Sequence, residues 1–215
     1  MSGLFITFEG GDGSGKSTQI ATLAARLQSL GADVRTFREP GGVTPDDAGE
    51  RIRTILLDPA HMGLDVRAEL LLYEASRAQL TAQHYRPALA EGAVVLCDRY
   101  ADSSVAYQGY GRDVLPVDEV RELNRIATGG LVPDLTLLLD IEAADGLATA
   151  SATGPDRLEL AGLEFHERVR AGYLAIAAAE PERVRLVPRG SVDEVAAAIW
   201  THVEPLLARA GLDAR

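Results

Sequence analysis

The segment "EGGDGSGKST" at residues 9–18 sets out residue types at a spacing that serves one chemistry, the gripping of phosphate. Residues 10–17 fit G-x-x-x-x-G-K-S, with Gly10, Gly15, Lys16 and Ser17 in the required places. Glycines let the chain turn so that successive backbone N–H groups face an anion, and a helix starting near Gly15 adds its positive end. The pattern assigns Gly10, Gly11, Asp12, Gly13, Ser14, Gly15, Lys16, Ser17 and Thr18 to a nucleotide's phosphates. Lys16 would reach the β- and γ-phosphates and Ser17 would hold Mg²⁺. Lys16 is the only lysine, against twenty arginines, which ties it to the loop rather than to general surface charge. The same fact excludes the Asn-Lys-x-Asp base reader of guanine-specific switches. Asp12 is the odd member, an acid in a loop built for anions.

Two apolar runs end in aspartate, "AVVLCD" at Asp98 and "LTLLLD" at Asp140. Either acid is placed to share a Mg²⁺ shell. The polar and aromatic run after Asp98 favours it as the metal-side residue, and Asp140 reads as structural. Arg38 and Arg99 end the second and third expected strands, where parallel α/β sheets bind ligands, and so mark a second anion site. Arg77 follows Tyr73 by one helical turn, so both face one way; alone it would read as a surface ion pair. The four histidines lack ligand spacing, and no Ser-His-Asp or zinc constellation competes.

These residues need a frame. Apolar runs ending in Gly or Asp alternate with stretches of helical period, the pattern of βα units around a parallel sheet. Strands are expected at 4–9, 33–37, 93–98, 135–140 and 184–187, and helices at 15–30, 44–57, 66–90, 103–107, 116–128, 143–150, 160–179 and 192–210. Strands apolar on both faces belong in the middle of a sheet covered by helices. The whole chain, 1–215, reads as one three-layer α/β domain, and "SATGPDRLELAG" at 151–162 as a mobile loop between two helices. A net charge of −11 argues against nucleic acid as a partner. A single cysteine, Cys97, excludes an internal disulfide and fits a reducing cytosol. No secretory signal is recognisable, and no apolar run approaches the ~20 residues of a membrane span.

Six segments in this order resemble the thymidylate kinases, the bacterial branch in particular. They are "FEGGDGSGKSTQ" (8–19), "REPGG" (38–42), "LLLYEASRAQL" (70–80), "DRYADSSVAYQG" (98–109), "PDLTLLLD" (133–140) and "DRLE…FHERVRAGYL" (156–174). The resemblance implies a P-loop kinase fold with a five-stranded parallel sheet, a mobile lid at about 149–160, and a cytoplasmic homodimer. It implies transfer of the γ-phosphoryl group of ATP to dTMP, giving dTDP. Asp12 would contact the deoxyribose 3′-hydroxyl and the metal shell, and Arg38 and Arg99 would grip the acceptor phosphate. Tyr73, usually Phe in this slot, would stack on thymine, with Arg77 on its O4 edge. Ser104 and Gln108 would meet the base, and Tyr107 would crowd the sugar C2′. The adenine of ATP is expected near Arg189. A phosphate monoester with a second pKa of about 6 is already anionic near neutrality, so the transfer needs charge neutralisation and alignment rather than a general base.

One departure matters. Part of the family carries an extra arginine directly after the loop aspartate, where this chain has Gly13. The rest supplies arginines from the lid, where this chain has Ala148, Thr149, Ser151 and Thr153 ahead of Arg157. The expectation is that Arg157 carries the transition-state charge beside Lys16, Arg99 and Asp12, unless Arg99 suffices. Two other readings stay open. A deoxynucleoside kinase would need a carboxylate base such as Glu9 or Asp98, and the depleted lid would suit a non-catalytic nucleotide-binding module.

Overall fold

The computed structural model describes residues 3–150 and 157–211. Its strands are β1 (Leu4–Glu9), β2 (Val34–Arg38), β3 (Val94–Asp98), β4 (Leu135–Leu139) and β5 (Val184–Val187), in one parallel sheet of order β2-β3-β1-β4-β5. β1 is central and buried along its whole length, as its apolar residues on both faces require. The register sets Phe8 beside Asp98 and Asp98 beside Arg38, so these strands end together. The acid and the arginine therefore emerge on one edge of the sheet, where parallel α/β folds bind ligands.

The helices are α1 (Lys16–Ser29), α2 (Ala48–Leu57), α3 (Val66–Leu80), α4 (Arg86–Ala90), α5 (Ala101–Ser104), α6 (Val117–Thr128), α7 (Ala143–Ala150), α8 (Leu163–Ala179) and α9 (Val192–Ala210). On one side of the sheet Ile6 and Phe8 pack with Leu23 and Leu27 of α1 and Val203 and Leu207 of α9. On the other, Leu138 joins Tyr107, Val120, Phe165 and Tyr173, while Phe5 and Val95 join Leu80, Tyr85 and Tyr100. Each Val, Leu, Ile or Phe among them, fully buried, contributes about 1.5–3 kcal/mol.

Several boundaries differ from the sequence reading for local reasons. α2 begins at Ala48 instead of residue 44, because the Asp47 carboxylate takes the Val43 and Thr44 N–H groups and the Thr44 hydroxyl in a turn of its own. The expected helix 66–90 is continuous but changes to π-helical winding over Thr81–Tyr85, ahead of Pro87. The short helix expected at 103–107 is α5 followed by a π-helical stretch, Val105–Gly111, which carries Tyr107 and Gln108. Such wide turns recur at functional sites. Half of the lid expected at 149–160, residues 151–156, lies outside the described residues.

Candidate active site

The loop leaves β1 at Gly10, whose φ of 136° suits glycine, and a Cβ there would stand 2.3 Å from the Leu139 carbonyl oxygen. The turn needs this residue both for its conformation and for the close passage of β4. Lys16 opens α1 and is buried, its Nζ donating to the carbonyls of Gly10 at 3.1 Å and Gly11 at 2.8 Å. Burial, then the neighbouring Arg99, pulls its pKa down to about 8, against Asp98, Asp12 and Glu9. The ammonium is therefore still charged near neutrality.

Beside it, Ser17 Oγ donates to Asp98 Oδ2 at 3.1 Å. Two hard oxygens side by side suit Mg²⁺, which keeps several waters and takes few protein ligands. No group of three or more His, Cys, Asp or Glu forms a fuller cage among the described residues. Asp140 is committed elsewhere, bridged by Arg170 Nε at 2.7 Å and Nη2 at 2.8 Å.

Arg99 holds the junction. Its φ of 70° is a strained conformation for a non-glycine residue, secured by its N–H on the Phe8 carbonyl at 2.9 Å. Nη1 donates to Gly10 O and to the Tyr173 hydroxyl, both at 3.1 Å, and Nη2 to Asp12 Oδ1 and the Tyr107 hydroxyl. Burial alone would raise the Asp12 pKa, but Arg99, then Lys16 and the Tyr107 hydroxyl, hold it down at about 2. Asp12 is thus a fixed anion. It offsets the positive charge of Arg99 and Lys16.

Glu9 lies behind Arg99, fully buried. It accepts from Tyr100 N–H at 2.7 Å, Ser103 Oγ at 2.6 Å and the Tyr173 hydroxyl at 2.8 Å. Burial, then Asp102, pushes it up to about 7 despite Ser103, Arg99 and Tyr173. Both oxygens are engaged in the scaffold, an arrangement for bracing Arg99 rather than for abstracting a substrate proton.

Two cavities adjoin here. One lies over the loop, lined by residues 12–18 with Arg38, Asp98 and Thr149. The other lies beside it, lined among others by Pro40, Leu57, Ser103 and Leu158. Tyr73, Ser104, Tyr107 and Gln108, which the resemblance assigned to the acceptor, stand together in its wall. Asp12, Glu39, Arg53 and Arg99 belong to both walls.

Other expected residues are arranged differently. Arg77 is 1% exposed and lines neither cavity. Its guanidinium serves Glu39, Glu74, Ser104, Asn124 and the Tyr100 carbonyl. It meets the second cavity only through Ser104 and Glu39. Arg38 is half exposed on the rim of the loop cavity and pairs with Glu50 at 3.0 Å. Arg189 pairs with Asp145 on the surface. Arg157, expected to bring charge to the loop, lines neither cavity. Buried Glu69 and the Leu56 carbonyl at the end of α2 hold its guanidinium instead.

Arg53 was not singled out in the sequence. It lies one turn after Gly49 on α2, and a Cβ on Gly49 would stand 1.9 Å from the Gly41 carbonyl oxygen. That contact presses α2 onto the turn after β2 and aims Arg53 at the junction, where Nη1 donates to Pro40 O at 2.7 Å. A glycine at the start of a helix, four residues before an arginine, was the available signal. Tyr173 and Glu39 were missed too; both act through partners remote in sequence.

A family model described as Thymidylate kinase matches residues 8–199. The chain is 51% identical over 213 residues to the thymidylate kinase of Solidesulfovibrio magneticus, covering 95% of this chain and 100% of that one. It is 52% identical over 204 residues to that of Deinococcus radiodurans, covering 94% and 96%. Its fold superposes on the crystal structure of Ehrlichia chaffeensis thymidylate kinase with a TM-score of 0.77 at 31% identity, covering 95% and 99%.

Proposed function

The chain belongs to the thymidylate kinase family and transfers the γ-phosphoryl group of ATP to dTMP, and we propose that it does so by aligning donor and acceptor across the shared wall of Asp12, Arg53 and Arg99. That shared wall is the observation that carries the reading. A phosphate chain on the loop and a monophosphate in the adjoining cavity would meet at two guanidinium groups, as an in-line transfer between anions requires.

In this reading the loop N–H groups and Lys16 take the phosphates of ATP, and Ser17 and Asp98 hold Mg²⁺. The ion, when bound there, neutralises charge between the β- and γ-phosphates. Arg99 and Arg53 take the phosphate of dTMP, with Arg38 on the rim. Asp12 receives the 3′-hydroxyl, and Tyr107, which donates to Asp12 Oδ2 at 3.0 Å, closes the space beside C2′. Tyr73 lies against the base, with Ser104 and Gln108 at its edge. Arg77 acts through Ser104, to which it donates at 2.9 Å.

A coupled assay with ATP against dTMP, dUMP, UMP, dCMP and thymidine tests this, with dTMP expected to be preferred. Turnover of thymidine alone would favour a deoxynucleoside kinase, a reading that the engaged oxygens of Glu9 disfavour. Tight binding without turnover would favour the non-catalytic module.

The homodimer is part of the same reading. α2 packs on α3 and α3 on α6, and these helices expose Ile55, Leu71 and Ile126. Sedimentation of the full chain tests it. We assign the enzyme to the cytoplasm, with its donor; no helix among the described residues is long and apolar enough to cross a membrane.

A further inference from the structure

Arg157 is only 4% exposed, although the sequence around it is rich in small and polar residues. Its Nε donates to the Leu56 carbonyl at 2.8 Å and its backbone N–H to that of Leu57 at 3.3 Å. Both carbonyls belong to the last turn of α2, which lacks N–H partners of its own and favours a positive charge. The guanidinium Nη2 pairs with Oε2 of Glu69, a fully buried residue in the first turn of α3. Arg112 Nη2 lies 3.5 Å from the same oxygen. Glu69 Oε1 accepts from Gln108 Nε2 at 3.1 Å.

A carboxylate facing two guanidinium groups accepts hydrogen bonds and offers none. Gln108 must therefore turn its NH₂ to Glu69, which settles the orientation of its amide. The amide oxygen takes no hydrogen bond among the described residues and is left to the acceptor cavity, whose wall also holds Leu57 and Leu158.

We propose that Arg157 and Glu69 are positioning residues for the acceptor base: their ion pair orients Gln108 with its carbonyl toward the base and holds Leu158 in the same wall. The inference rests on the reading of this cavity as the dTMP site. Its chemical content is a choice among pyrimidines. Thymine and uracil carry an N3–H donor, which an amide carbonyl accepts. Cytosine carries a bare N3 acceptor, which the carbonyl repels. A single oriented amide thus rejects one base by leaving two acceptors face to face.

The test is steady-state kinetics of the full-length Glu69→Gln, Arg157→Met and Arg157→Lys variants with dTMP and dCMP at saturating ATP, with thermal unfolding of each. Gln at position 69 can donate or accept, which frees the Gln108 amide to turn over. Glu69→Gln and Arg157→Met should raise KM for dTMP about 10- to 100-fold, the size of losing an oriented buried hydrogen bond. They should leave kcat within about threefold and KM for ATP unchanged, since uniform binding is what is lost. Preference for dTMP over dCMP should narrow, and Arg157→Lys should recover part of it.

A fall in kcat with KM for dTMP unchanged would overturn the proposal and return Arg157 to the transferred phosphoryl group. Unchanged kinetics in a folded Glu69→Gln would overturn it as well. Should Arg157→Met fail to fold, Glu69→Gln, which keeps the side-chain size, decides alone. The wild type serves as the separate check on the cavity: if it does not turn over dTMP, that reading fails first and this inference with it.

Discussion

Gly13 of the phosphate loop and Gly146 of α7 touch backbone to backbone. A Cβ on Gly13 would stand 2.6 Å from the Gly146 carbonyl oxygen, and a Cβ on Gly146 would stand 2.6 Å from the Asp12 carbonyl oxygen. Neither position admits a side chain unless α7 moves. The missing arginine after Asp12 is therefore not a vacancy that a mutation can fill. Gly13 also has φ 71°, which costs a non-glycine residue about 1–2 kcal/mol before any clash. Gly13→Arg should lower turnover at least about tenfold and Tm by roughly 2–8 °C, measured by the ATP–dTMP assay and thermal unfolding. A faster variant would show that α7 yields and that the loop can host the extra charge.

The arginines around the junction should rank by their place in it. Arg99 touches both cavities and is braced by Tyr173, Gly10 O and Asp12. Arg99→Met should lower kcat/KM for dTMP about 10²–10³-fold, the scale of losing a preorganised charge at the transition state. Arg53→Met, in the same two walls, should fall in a similar range. Arg38→Met should cost less than about tenfold, because that side chain is 54% exposed and already paired with Glu50. Initial-rate kinetics of the three variants give the ranking, and Arg38 at its head would reverse the assignment of the acceptor phosphate.

What could be read in advance follows a physical divide. β1 and the loop are legible because "LFITF" is apolar on both faces and the loop glycines are demanded by local backbone geometry. Ser17 and Asp98 are legible because each sits at a fixed step from a local signal; the register puts Asp98 beside Phe8 at the end of β1, and the loop that follows brings Ser17 to it. Arg53 and Arg157 are not. Their roles depend on Gly49 against Gly41 and on Glu69 being buried, contacts between segments far apart in sequence. A charged residue carries no local mark of which distant partner will hold it. Arg77 on its own reads as a surface ion pair, whereas it is the buried hub joining Glu39, Ser104 and Asn124.

The pH dependence should carry two of these residues. Glu9, pushed up to about 7 by burial, loses its charge as pH falls through that value, and the Tyr173 and Ser103 hydroxyls lose the anion that orients them beside Arg99. At saturating ATP, kcat/KM for dTMP should therefore rise through about pH 7. Glu9→Gln should remove that step and leave the gentler one near pH 6 that belongs to the monoester itself. Lys16, pulled down to about 8, should set an alkaline fall in kcat/KM for ATP. Glu9 raises the Lys16 pKa, so the alkaline limb should move to lower pH in Glu9→Gln. An acid limb that stays at about 7 in that variant would remove Glu9 from the account.

Arg77 offers a stability test that the kinetics do not. Its guanidinium lies between the buried carboxylates of Glu39 and Glu74, each at 2.8 Å, and all three are nearly inaccessible to water. Arg77→Met keeps much of the volume but leaves both acids without their cation, a loss of about 3–5 kcal/mol for a buried pair broken on one side. For a chain of this size that is roughly 6–20 °C in Tm. The sign with pH follows from Glu39, which burial pushes up to about 7 even with Arg77 and Tyr85 holding it down. Without Arg77 its folded pKa rises further above the unfolded value of 4.5. Stability from a raised carboxyl pKa is fully present below the unfolded value and lost as pH rises through the folded one. The deficit of Arg77→Met should therefore be larger at about pH 8 than at about pH 5.5, where Glu39 is protonated in the variant and needs no partner. Thermal unfolding of both proteins at the two pH values measures it. Equal deficits would mean that Arg77 stabilises by packing alone, with no electrostatic debt left on Glu39.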